Sequence, residues 1–177
     1  MISRREFIQT AAILTAGMLI GCSESSDSEE GLQIEGQMPD ESEPHKRTWM
    51  AFGASEAIWG KKLLPVVRQN LAIIAQTIVK YEPVSMLVRA SEYALARELV
   101  GTSVELIVSP LDDFWVRDTG PVFVKDQQGQ KAGINFNFNG WGERQAFSQD
   151  AKVAAFIAQQ AGVRKYNQQS DFRGWRY

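Results

Sequence analysis

The sequence predicts an α/β fold, with strands and helices alternating along the chain. Three observations carry that expectation. Apolar residues recur at spacings of three and four through Lys61–Tyr81 (Leu63, Leu64, Val67, Leu71, Ile74, Ile78), the period of an amphipathic helix. Short runs rich in β-formers, bounded by Pro, Gly or Ser, follow the helical stretches. The composition, 44% hydrophobic and 23% charged over 177 residues, is that of one domain with an ordinary core. A net charge of −2 argues against a nucleic-acid partner, which would call for a basic stripe. One Cys and one His are too few soft ligands for a structural zinc site, and a lone Cys forms no disulfide within one copy.

The first segment reads as an address. Ser3-Arg4-Arg5-Glu6-Phe7-Ile8 precedes an apolar run from Ala11 to Ile20, too short for a membrane span of roughly 20 residues. Paired arginines before a bulky apolar pair resemble a twin-arginine export signal. Leu19-Ile20-Gly21-Cys22 resembles a lipobox, in which Cys22 is lipidated and tethers the protein to a membrane. Residues 1–21 are therefore expected to be a lipoprotein signal peptide, and 22–36, rich in Ser and Glu, a flexible tether. That address implies export to the cell envelope, at the outer membrane in a diderm cell.

From Gly36 onward the folded part is expected. After the helix at 61–81, in whose first turn Pro65 is tolerated, Pro83–Val88 reads as a strand. Ser91 is placed to cap a helix through Leu99, with Gly101 as its stop. Val104–Val108 reads as a second buried strand, closed by Ser109-Pro110. Pro121–Lys125 and Lys131–Asn139 flank Asp126-Gln127-Gln128-Gly129, a hairpin pattern, and Gln149–Ala161 reads as the last helix.

Chemistry concentrates in Asp112-Asp113-Phe114-Trp115-Val116-Arg117-Asp118-Thr119-Gly120-Pro121. Loops at strand ends expose side chains that the scaffold holds still. A carboxylate beside an indole suits a planar cation, taking two parallel N–H bonds while the ring stacks on the cation face. The alternative is structural: Asp112 and Asp113 cap a turn, and Arg117 pairs with Asp118. A second cluster, Asn135-Phe136-Asn137-Phe138-Asn139-Gly140-Trp141-Gly142, alternates polar and aromatic residues into a glycine-rich bend. A glycosidase acid/base pair at Asp112 and Asp113 is disfavoured, because adjacent side chains point apart and no sugar platform accompanies them.

Together these clusters resemble the agmatine deiminase and bacterial-type peptidylarginine deiminase family. Met38-Pro39, Glu43-Pro44-His45 and Thr48-Trp49-Met50 resemble that family's opening segment, so the resemblance runs from about Met38 to about Val163. It implies a pentein fold, a propeller of five ββαβ-type blades around a central site, of which this chain would supply about two. It also implies a cofactor-free hydrolase with no metal, in which a late thiolate attacks the guanidinium carbon of agmatine or an arginine residue. Ammonia leaves, water cleaves the intermediate, and a His moves protons. Asp118 takes the position of the first guanidinium-gripping carboxylate and Trp115 that of the aromatic wall. Asp112, Asp113, Arg117 and Gly120 shape the loop.

Gly140 stands where peptide-directed members carry an Arg, which tilts the expected substrate toward agmatine. The deiminase portion is bounded at 37–165, and the tail 166–177 matches nothing in the family. The family's Glu-Gly-Gly, His-x-Asp and nucleophilic Cys segments would follow residue 165. Cys22 is assigned to the anchor and His45 to the opening segment, so the chain alone is expected to lack turnover. The competing expectation is a non-catalytic surface lipoprotein that binds guanidino compounds. The pattern sets no oligomeric state.

Overall fold

A computed structural model describes residues 37–40, 42–126 and 128–167. The expected signal peptide 1–21, Cys22 and the tether 22–36 lie outside the described residues, as do residues 168–177.

The chain runs β1 (Thr48–Phe52), α1 (Glu56–Ile78), β2 (Val84–Val88), α2 (Tyr93–Val100) and β3 (Glu105–Val108). It continues through α3 (Val116–Thr119), β4 (Val122–Lys125), β5 (Lys131–Asn135), α4 (Gly140–Glu143), α5 (Val153–Gln160) and β6 (Arg164–Asn167). The first sheet has the order β1-β2-β3 and is wholly parallel, with Thr48 opposite Val84 and Ser85 opposite Glu105. Parallel neighbours cannot be joined by a tight turn, so α1 and α2 serve as the crossovers. The second sheet, β4-β5-β6, begins with the antiparallel hairpin, Val122 opposite Ile134, and ends with β6 parallel to β5 after α5.

Side chains alternate across a strand, and that alternation builds two cores from one sheet. Phe52, Val84, Met86 and Val88 face Ala72 and Ala75 of α1 and Ala96 and Val100 of α2. Ala51 and Leu87 face the opposite way, onto Leu111 and onto Val153 and Ile157 of α5. The first sheet is thus covered on both faces, as parallel sheets require. Helix α5 then spans the sheets, since it also follows β5 and packs beside β5 and β6.

Five expectations are corrected. Thr48–Phe52, read only as an opening segment, is a strand at the edge of the first sheet. Val104–Val108 is not a buried strand: β3 lies on the other edge, so Val108 is 50% exposed and only Val104 is fully covered. Ser91 is not a cap; it sits inside a single 3₁₀ turn, Ala90–Glu92, and α2 starts at Tyr93. Helix α1 begins at Glu56, before the expected 61, and breaks at Gly60 (φ 68°, ψ 163°) before resuming. Strand β5 stops at Asn135 instead of 139, because the Asn135 side chain accepts from Asn137 N at 2.9 Å and Asn137 turns left-handed (φ 56°). Strand β6 ends at Asn167, with Tyr166 buried in the core of the second sheet. Among the described residues no helix is long and apolar enough to cross a membrane.

Candidate functional site

The loop between β3 and β4 carries the candidate residues Asp112–Asp118, and a reciprocal pair of carboxylates fixes its base. Asp112 Oδ2 accepts from the backbone N–H of Gln149 (2.7 Å) and Asp150 (3.1 Å). Asp150 answers: its Oδ1 accepts from Asp112 N (2.9 Å) and its Oδ2 from Asp113 N (3.0 Å). Burial of Asp150 pushes its carboxyl up to about 6, against the pull of those two backbone hydrogen bonds. This brace ties the loop to the start of α5.

One residue on, Asp113 is 1% exposed and gathers side-chain donors. Its Oδ1 accepts from Trp59 Nε1 at 3.0 Å, and its Oδ2 from Trp115 Nε1 at 2.9 Å and Gln145 Nε2 at 3.4 Å. Those bonds supply the partners that a buried carboxylate requires. They also set an aromatic row: Trp59 stacks on Phe114 (centroids 5.3 Å apart) and Phe114 on Trp115 (4.7 Å). The exit of β1 approaches this point so closely that a Cβ on Gly53 would lie 2.0 Å from the Asp113 carbonyl oxygen.

Asp118 follows Trp115 by three residues across the single turn of α3, where Asp118 N donates to Trp115 O at 3.0 Å. Trp115 stands just before the helix with φ −76° and ψ 64°, so the two residues sit at opposite ends of one short turn. Both are exposed, Trp115 by 37%. Val116 accepts from Gly120 N at 2.8 Å to close the turn, and a Cβ on Gly120 would come within 2.6 Å of the Val116 carbonyl. Arg117 contributes to the lining of a separate cleft between residues 38–47, β4 and the end of α5; Asp118 and Trp115 take no part in that lining.

The second cluster supplies a partner that the sequence reading did not assign. Trp141 Nε1 donates to Asp118 Oδ1 at 3.3 Å, and its ring meets that of Trp115 at 83° with centroids 6.1 Å apart. Phe138 supports Trp141 edge-on at 5.0 Å. The backbone beneath is unusual: Gly140, Trp141, Gly142 and Glu143 have φ of 66°, 54°, 79° and 62°, one left-handed turn. Such a conformation costs about 1–2 kcal/mol at each non-glycine residue. Asn139 Oδ1 caps it by accepting from Gly142 N at 2.9 Å. The Asn-Gly-Trp-Gly spacing was the available signal, since glycines on both sides of an aromatic residue permit a left-handed display.

Gly140 has a backbone reason to be glycine. Besides its positive φ, a Cβ there would lie 2.5 Å from the Gln145 carbonyl and 2.8 Å from the Phe147 ring. Its lack of a side chain is therefore a packing requirement of this turn and says little about substrate. His45 is paired elsewhere, with Nδ1 3.3 Å from Glu82 Oε2. Among the described residues no group of three His, Cys, Asp or Glu is placed to hold a metal ion.

The arrangement thus presents one exposed carboxylate at the N–H edge of Trp141, whose ring in turn meets that of Trp115 at 83°. Oxygen lone pairs there can accept from the edge of a planar cation while a ring covers its face.

Residues 37–174 match the family model described as Porphyromonas-type peptidyl-arginine deiminase, including part of the segment set apart above as 166–177. The agmatine deiminase of Ectopseudomonas mendocina is 33% identical over 135 residues, covering 73% of this chain and 36% of that protein. The agmatine deiminase of Pseudomonas aeruginosa (strain LESB58) is 37% identical over 107 residues, 60% of this chain and 29% of that protein. Among solved structures, an agmatine deiminase of Enterococcus faecalis superposes with a TM-score of 0.69 at 27% identity, over 76% of this chain and 38% of that one. The chain spans 29% to 38% of the length of these relatives.

Proposed function

Because the chain belongs to the Porphyromonas-type peptidyl-arginine deiminase family, we propose that its Asp118 site clasps the guanidinium of agmatine, as part of an agmatine-deiminase-type hydrolase. The reaction of that type joins agmatine and water into N-carbamoylputrescine and ammonia. The observation that carries the reading is the exposed Asp118 carboxylate beside Trp141, with the ring of Trp115 packed against that of Trp141. In this reading Trp115, pinned by Asp113, is the fixed wall, while Asp112, Asp150 and Gly120 keep the loop in shape. In this reading the second sheet, with its order β4-β5-α5-β6, supplies one ββαβ-type blade of a pentein propeller.

Substrate binding and turnover are separate proposals. A thiolate must attack the guanidinium carbon and an acid must protonate the departing ammonia. The sequence has one Cys, at 22, and one His, at 45, and His45 is engaged with Glu82. The chain by itself then binds guanidines without hydrolysing them. Titration calorimetry with agmatine tests the binding. Asp118→Asn should weaken it by roughly 10- to 150-fold, the worth of about 1.5–3 kcal/mol for hydrogen bonds to a charged group. An unchanged affinity would sink the reading, and ammonia release beyond one equivalent would sink the claim of no turnover.

Envelope anchoring belongs to the same proposal. Its support is the position of the single Cys, directly after the apolar run that ends at Ile20. Labelled palmitate should enter the protein expressed in a lipoprotein-processing host and be lost in Cys22→Ala; equal labelling of both would overturn it.

A further inference from the structure

The geometry points to Trp141 as an internal competitor for the carboxylate of Asp118. It stands in for the ligand while the site is empty and becomes the second wall when a cation takes its place. The inference rests on the guanidinium reading above and adds a selection rule to it.

The two indoles of the site are held in different ways. Trp115 donates its N–H to buried Asp113 at 2.9 Å, so its ring is fixed from behind. The N–H of Trp141 instead has Asp118 Oδ1 as its partner, at 3.3 Å, and the side chain is 41% exposed. Asp118 in turn is the exposed carboxylate that a cation would need.

The backbone below is overdetermined. Four successive positive φ angles place Trp141 on a left-handed turn, capped by Asn139 and seated against Gln145 and Phe147 through Gly140. Strained conformations of this kind persist where the surroundings enforce them, and they gather at ligand sites. Because the turn is fixed, the indole can leave the carboxylate only by rotating about its own side-chain torsions. That motion needs no rearrangement of the fold.

Chemistry then sets the selectivity. An arriving cation must replace one N–H donor on Asp118, so it must bring N–H groups of its own. Guanidinium and amidinium ions do this with two parallel donors. A quaternary ammonium can lie over either ring but leaves the carboxylate without a donor. The site therefore favours N–H-bearing planar cations over methylated ones.

Two measurements decide the matter. In ligand-free protein labelled with ¹⁵N, Asp118→Ala should move the indole resonance of Trp141 while leaving that of Trp115 in place. In calorimetry, Trp141→Phe, which keeps a ring and removes the competing N–H, should bind agmatine roughly 2- to 10-fold tighter than the native protein. Trp141→Ala, which removes the wall as well, should bind agmatine more weakly than Trp141→Phe. Choline, which brings no N–H group, should bind the native protein more weakly than agmatine. An unmoved Trp141 resonance overturns the inference, and so does a Trp141→Phe protein that binds agmatine no tighter than the native one. If agmatine binds none of these proteins, the guanidinium reading falls by itself. The resonance in Asp118→Ala then decides alone whether Trp141 occupies the carboxylate.

Discussion

Asp150→Asn, followed across pH, probes the brace beneath the site. Asp150 is 1% exposed, and its carboxyl is raised from 3.8 to about 6 by burial. A carboxyl with a raised folded value is more easily protonated in the fold than in the unfolded chain. Its favourable contribution is therefore full below about pH 4 and is lost as pH rises through about 6. At about 1.4 kcal/mol for each pH unit, the swing is on the order of 3 kcal/mol between pH 4 and pH 7. Other carboxylates run the opposite way. Glu105, for example, is held below its ordinary value first by the Ser85 hydroxyl and then by Arg47, so the raw stability curve mixes several groups.

Subtracting the asparagine variant isolates the one term. The variant cannot titrate at 150, and its amide group turns a donor toward the backbone N–H of Asp112 or Asp113, a pH-independent cost of about 1–3 kcal/mol. Urea unfolding of both proteins between about pH 4 and 7.5 should show native protein gaining on the variant as the solution is acidified. Parallel curves would refute the assignment of a buried, titrating carboxylate at 150.

Two further outcomes follow from the same geometry. Gly140→Ala meets both a left-handed φ of 66° and a carbonyl 2.5 Å from its new Cβ, and should lose about 2–5 kcal/mol in urea unfolding; a loss under about 1 kcal/mol would show that the turn relaxes freely. Asp113→Ala strands the indole N–H groups of Trp59 and Trp115; a loss of about 2–4 kcal/mol with a shift in tryptophan emission is expected, and unchanged emission would mean that the carboxylate does not position the rings.

Local pattern determined a good deal. The helix at 61–81 and the hairpin around Asp126–Gly129 are set by periodicity and turn chemistry within a few residues, so both were legible before any packing was known. The ordered clusters Asp112–Pro121 and Asn135–Gly142 were likewise enough to point to the family. Trp115 and Asp118 lie three residues apart at one short turn, which is a local relation.

The rest was decided by residues far apart in the chain. Asp112 and Asp150 brace each other across 38 residues, Trp59 reaches Asp113 across 54, and Trp141 reaches Asp118 across 23. Nothing in the spacing of a single segment encodes such meetings, because they depend on how α1 and α5 pack against the sheet. The same holds for edges. Glu105–Val108 has the composition of a covered strand, yet its burial depends on whether another strand lies beside it. Sequence sets which surfaces a segment can offer; the three-dimensional arrangement sets which of them are met. Hydrogen bonds and buried area are properties of pairs, and most pairs in this site are distant in sequence.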